Sequence, residues 1–283
     1  MSLIRLDDPG NLDRPLTVVA LDSWVDAGSA STTAAELLAD GGDVIGHFDG
    51  DSLIDYRSRR PTLEIEDGRP RTLTWSDLTL THNRVGERDV LVLTGPEPDF
   101  RWRELTEELV DIARRLDVAQ WISLGSIPAA VPHTRPVPVI GTASKAGLLR
   151  GSVDAGPSGV LRVPSAAISV IDMAVAAAGI PALGYYAQVP HYVSGPYPAA
   201  ALELLRAVGR HLDAQVPTGS LDEEATQLRD RLNLAAASDE QTRQYVERLE
   251  TMVDESRLPS GDELISEIER FLREGGTGSN RPN

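Results

Sequence analysis

Two short runs constrain the fold more than anything else in this chain. Val90-Leu91-Val92-Leu93 and Trp121-Ile122-Ser123-Leu124 are almost continuously apolar, so each reads as a strand that must be covered on both faces. A strand wetted on one side would alternate instead. Up to about residue 216, similar apolar runs alternate with amphipathic stretches, the pattern of an α/β sheet with helical covers. The predicted strands are 16–21, 44–48, 78–83, 89–93, 121–124, 137–142 and 182–188, and the predicted helices are 29–40, 101–116, 165–178 and 198–211. In the second of these helices Trp102, Leu105, Leu109, Ile112 and Leu116 share one stripe, the expected inward face. Strands followed by glycine- or proline-rich turns and then helices predict a largely parallel sheet with both faces covered. The looser alternation over 62–76, around Asp67-Gly68, predicts an edge hairpin.

After Pro217 the strand pattern stops. Ser220 with Glu223, Ser238 with Gln241 and Ser260 with Glu263 have capping-box spacing, and each precedes apolar residues at helical intervals. The expected organisation is an α/β core over 1–217, an acidic, all-helical appendage over 218–274 and a disordered tail over 275–283.

Composition excludes several function classes. A net charge of −16 argues against nucleic acid as a partner, because phosphate backbones need a basic surface. With no cysteine there is no disulfide, thiolate metal site or cysteine nucleophile. No apolar run is long enough for a membrane span and no basic-then-apolar leader opens the sequence, so a cytoplasmic, membrane-free protein is expected. The lone lysine, Lys145, lies in Thr142-Ala143-Ser144-Lys145-Ala146-Gly147, which lacks phosphate-loop spacing. The five histidines show no helical ligand pair, and Asp49-Gly50-Asp51 with Asp55 falls short of a calcium loop, so neither metal nor cofactor is expected. Arg57, Arg59 and Arg60 form the most basic spot on an acidic chain.

Four stretches concentrate chemistry-bearing residues. Asp22-Ser23-Trp24-Val25-Asp26-Ala27-Gly28 leads from a strand to a helix start, where Asp26 is either a cap or a neighbour of an anion site. Gly95-Pro96-Glu97-Pro98-Asp99-Phe100-Arg101-Trp102 puts Glu97, Asp99 and Arg101 after a buried strand, where open α/β sheets hold ligands. Pro132-His133-Thr134-Arg135-Pro136 is a proline-braced loop suited to clamping an anion or carbonyl, with surface ion pairing as the plainer reading. Upstream, Gly125-Ser126-Ile127-Pro128 does not match the nucleophile-elbow pattern, so the motif gives little support to Ser126 as a nucleophile. Gly184-Tyr185-Tyr186-Ala187-Gln188-Val189-Pro190-His191-Tyr192 ends a strand in a stiff, tyrosine-rich loop, as pockets and interfaces both favour. Trp24, Asp26, Glu97, Asp99, Arg101, His133, Arg135, His191 and Tyr192 are thus the candidates for a ligand or interface site, and they are expected to converge at the carboxyl edge of one sheet.

Together and in this order, the four stretches resemble the proteasome assembly chaperone family of the second-chaperone type, above all its actinobacterial branch. The resemblance spans roughly residues 3–212 together with the acidic helical tail. It implies a three-layer α/β/α sandwich similar to nucleoside phosphorylases, and homo-oligomers such as trimers. In eukaryotic relatives it implies a non-catalytic role guiding proteasome α-ring assembly with a second chaperone. Those relatives end in a hydrophobic-Tyr-X tail; this sequence ends Arg281-Pro282-Asn283, so tail docking is not expected. Two functional readings remain open. One is a homo-oligomeric interaction or assembly factor with a proteasome-related partner. The other is a phosphorylase- or hydrolase-like enzyme acting on a small anionic or nucleoside-like ligand, with His133 or His191 moving protons and Arg135 holding the anion.

Overall fold

The computed structural model describes residues 2–22, 24–151, 153–156 and 159–256. They divide into two compact units, with the boundary between Arg231 and Leu232. The first is a three-layer α/β/α sandwich around a nine-stranded sheet.

Four parallel strands form its centre: β2 (Leu16–Asp22), β7 (Arg88–Pro96), β8 (Gln120–Ala129) and β11 (Ala182–Pro190). Their spatial order is β7-β2-β8-β11. Beyond β7 come β6 (Thr79–Val85), β3 (Asp43–Phe48) and the short β1 (Ile4–Leu6), each antiparallel to its neighbour. Beyond β11, β9 (Val139–Ala143) runs antiparallel and carries the two-residue β10 (Asp154–Ala155). The sheet is therefore mixed, with a parallel centre and antiparallel flanks, where the sequence predicted a largely parallel one. Only β6 and β7 are joined by a short turn, which favours antiparallel pairing; β1 with β3, β3 with β6 and β9 with β11 pair antiparallel across long intervening segments.

Helices α1 (Ala30–Ala39) and α5 (Pro198–Leu212) pack together on one face. Helices α3 (Trp102–Arg115) and α4 (Ala167–Ala177) pack together on the other. Strand periodicity explains how one sheet serves both layers. Val19, Leu21, Leu91, Leu93 and Trp121 join Leu105, Leu109, Ile168, Ile171 and Val175 in one core cluster. The alternate residues Val18, Ala20, Val92 and Ile122, all fully buried, point the other way.

The 62–76 segment departs from expectation in its placement. Strands β4 (Thr62–Glu66) and β5 (Arg69–Thr74) pair only with each other, as a separate two-stranded sheet rather than an edge of the main one. Every residue of both strands is exposed. Trp75 anchors the hairpin's base by meeting Tyr56 edge-on, with centroids 4.6 Å apart. The one-turn helix α2 (Gly50–Leu53) precedes it and is capped by the Asp49 carboxylate, which accepts from Ser52 N and Oγ.

At the opposite, amino edge of the parallel strands, Ser144 donates its N–H to the Ala182 carbonyl. The neighbouring Lys145 is exposed there.

Helices α6 (Leu221–Ser238) and α7 (Glu240–Ser256) follow the core, and the boundary between the two units falls within α6. Asp239, not Ser238, caps α7, its carboxylate accepting from Thr242 N and Oγ1. A carboxylate is the stronger acceptor there, and Ser238 turns its hydroxyl to Ala235 O. The third predicted helix, with its Ser260–Glu263 box, and the 275–283 tail lie outside the described residues. No helix among the described residues is long and apolar enough to cross a membrane.

Candidate functional site

All four motif loops leave the sheet at the carboxyl ends of its parallel strands, because β2, β7, β8 and β11 point the same way and each feeds a loop on that edge. Asp26 also makes a parallel bridge to Ser126, and Tyr197 N donates to Gly28 O at 2.9 Å, so neighbouring loops are laced together. Gly28 is required there. It sits at φ +63°, and a Cβ would stand 2.8 Å from that of Tyr197.

The acidic candidates are committed to the scaffold. Asp26 Oδ1 accepts from Ser31 N at 2.9 Å and Thr32 N at 3.2 Å, while its oxygens also receive the Ser31 and Thr32 hydroxyls. It therefore closes the amino end of α1, whose own N-cap residue, Ser29, is left-handed and makes no side-chain cap. Glu97 Oε1 accepts from Ala167 N at 2.6 Å and so caps α4, whose N-cap position holds an alanine. Asp99 Oδ2 accepts from Asp55 N at 2.8 Å, tying the loop after β7 to the turn after α2. Arg101 pairs with Glu104 on the first turn of α3. Arg59, from the basic spot noted in the sequence, pairs with Asp22 at the end of β2.

Two aromatic residues of the same loops are exposed instead. Trp24 is 62% and Phe100 50% exposed. Val160, Leu161 and Val163, in the segment leading into α4, are also open to solvent.

On the β8–β11 side, His133 and Tyr192 form a second knot. The Tyr192 hydroxyl accepts from His133 N at 2.8 Å and stands 2.8 Å from His133 Nδ1. His191 N and Nδ1 both meet Ala129 O. The Tyr192 ring is edge-on to both histidines. His133 is buried and His191 exposed. Ser126 lies within β8, fully buried, and its hydroxyl donates to Ala27 O at 2.8 Å. It has no histidine partner there, so it is a structural serine.

A cleft of about 330 Å³ opens beside this knot and takes in His133 and Arg135, but not Trp24, Asp26, Glu97 or Asp99. The carboxyl edge thus holds two neighbourhoods: an exposed aromatic rim over pinned carboxylates, and a polar cleft at the β8–α5 side. A larger, shallower depression of about 730 Å³ lies near the carboxyl end of α5, away from all nine candidates.

One polar cluster was not picked out from the sequence. Under α4, Ser123 donates to Asp172 Oδ1, and the Trp121 indole lies beside that carboxyl without a hydrogen bond. Burial pushes the Asp172 carboxyl up to about 7. Tyr186, beside Thr142 and Ser169, is pushed up to about 12 by burial and by Asp172. The available signal was a single carboxylate inside the otherwise uncharged helix Ala167–Ala177, at the spacing of the buried face.

The PAC2 family model matches residues 20–236. A Corynebacterium glutamicum protein of unknown function is 32% identical, with TM-score 0.83, over 89% of this chain and 97% of its own. A proteasome-assembly chaperone homologue from Mycobacterium tuberculosis is 35% identical, with TM-score 0.73, over 82% of this chain and 99% of its own. A PAC2 family protein from Streptomyces avermitilis is 34% identical, with the same TM-score and coverage. No curated protein matches the chain.

Proposed function

The chain belongs to the PAC2 family, and from that premise we propose that it is a non-catalytic interaction factor that recognises protein surfaces during assembly. Its mycobacterial relative is called a proteasome-assembly chaperone homologue, which makes a proteasome-related protein the partner of choice. The observation that carries the reading is the division of labour at the carboxyl edge. Asp26, Glu97 and Asp99 hold backbone amides and are not free to move protons, whereas Trp24 and Phe100 present open aromatic surface. Exposed aromatics on a rigid rim fit the core of a protein interface. Self-association into a homo-oligomer, a trimer among the options, and a cytoplasmic setting belong to the same proposal.

The test uses the purified full chain and purified proteasome core particle. Light scattering is expected to give a mass above one chain, and the core particle to be retained on immobilised protein. Trp24→Ser with Phe100→Ser should abolish retention while leaving circular dichroism unchanged. A monomer at tens of micromolar that fails to retain the core particle would overturn the proposal.

A further inference from the structure

The cleft beside the His133–Tyr192 knot is built from three separate segments. The β8–β9 loop supplies Arg135, one stripe of α5 supplies Leu202 and Arg206, and the amino-terminal part of α6 supplies Asp222 and Arg229. In a chain of net charge −16, three guanidiniums around one cleft stand out against the background.

Their settings differ in a useful way. Arg206 is held in place by Glu203 at 2.6 Å and Asp222 at 3.6 Å. Arg229 forms no ion pair among the described residues. Tyr197 also lines the cleft; the residue is 4% exposed, and its hydroxyl, which makes no hydrogen bond among the described residues, stays open to the cleft rather than sealed in the core. Burial pushes this phenol up to about 12 against the opposing influence of Arg229, so at neutral pH it is a proton donor.

A cleft with cationic forks, a waiting phenol donor and apolar walls from Leu202 and Val137 matches a doubly charged oxyanion attached to a small organic body. We propose that this cleft binds a small organic phosphate, with Arg229, Arg135 and the Tyr197 hydroxyl on the phosphoryl oxygens and the organic part against Leu202. At about 330 Å³ the cleft has room for an organic body as well as the phosphoryl group. The site uses neither Trp24 nor Phe100, so it stands or falls independently of the interaction surface.

Calorimetry on the full chain at fixed ionic strength tests the assignment, with ribose 5-phosphate, inorganic phosphate and succinate as probes. Ribose 5-phosphate should bind most tightly. Arg229→Gln, on the exposed side of α6, should weaken it about tenfold, and Tyr197→Phe should weaken it without loss of fold. Arg14→Gln, whose side chain pairs with Asp117 elsewhere, should change nothing. Equal affinity for inorganic phosphate would overturn the organic body. Tighter binding of succinate, or an unaltered Arg229→Gln, would overturn the phosphoryl site.

Discussion

Glu97 and Ala167 are seventy residues apart in sequence, yet the carboxylate of one accepts the backbone N–H of the other at 2.6 Å. The loop after β7 therefore caps α4 from outside, a service the alanines at its own N-terminus cannot perform. Glu97→Ala should lower stability by about 1 kcal/mol, read from denaturant midpoints at unchanged m-value. Amide exchange should quicken in the first turn of α4 more than in α1. Equal protection in both helices would show that Glu97 is not the cap.

The pH dependence of stability should reveal two opposed groups. Asp172 has a folded pKa of about 7, above its unfolded 3.8. Its contribution is complete below pH 4 and is lost as pH rises through 7. His211 is enclosed by Tyr185 and Gln120, and burial pushes it from 6.5 down to about 4. Its contribution is present above pH 6.5 and is lost as pH falls through 4. The wild type should change little between pH 4 and 6.5. Asp172→Asn, which keeps a partner for Ser123, should unmask a fall in melting temperature on acidification. His211→Asn should unmask the reverse slope. Parallel pH curves for all three proteins would contradict the assignment.

Gly125 makes room for a ring. An added Cβ would stand 2.5 Å from Cδ1 of Tyr186, which sits directly across the β8–β11 ladder. Gly125→Ala should cost about 1–3 kcal/mol in thermal or urea unfolding. In a Tyr186→Ala background the same change should cost little. Additive effects in this double-mutant cycle would mean that the ring and the glycine are not in conflict.

The class of fold was legible because burial on both faces leaves a mark that survives in one sequence. Runs such as 90–93 admit few alternatives. Strand ends were less legible. β8 continues through Gly125, Ser126, Ile127 and Pro128, which read locally as turn residues but pair along β11 to Ala129. Only the tyrosine on the neighbouring strand explains the glycine. The direction of β9 was hidden as well, because antiparallel pairing is set by where the chain returns and not by its own composition. For the site, the order of strand, loop and helix was enough to gather nine residues on one edge. What each one does there depends on partners far away in the chain: Ala167 for Glu97, Asp55 for Asp99. Arg206 and Arg229 left no trace at all, since two exposed arginines on separate helices become neighbours only once those helices pack.

Lys145 offers a practical opening. It carries the chain's one ε-amine, solvent-open on the rim farthest from the motif loops. Amine-directed dyes or tethers therefore have a single side-chain address, and attachment there leaves the aromatic rim and the arginine cleft untouched. Counting bleaching steps on such a preparation would report how many copies travel together.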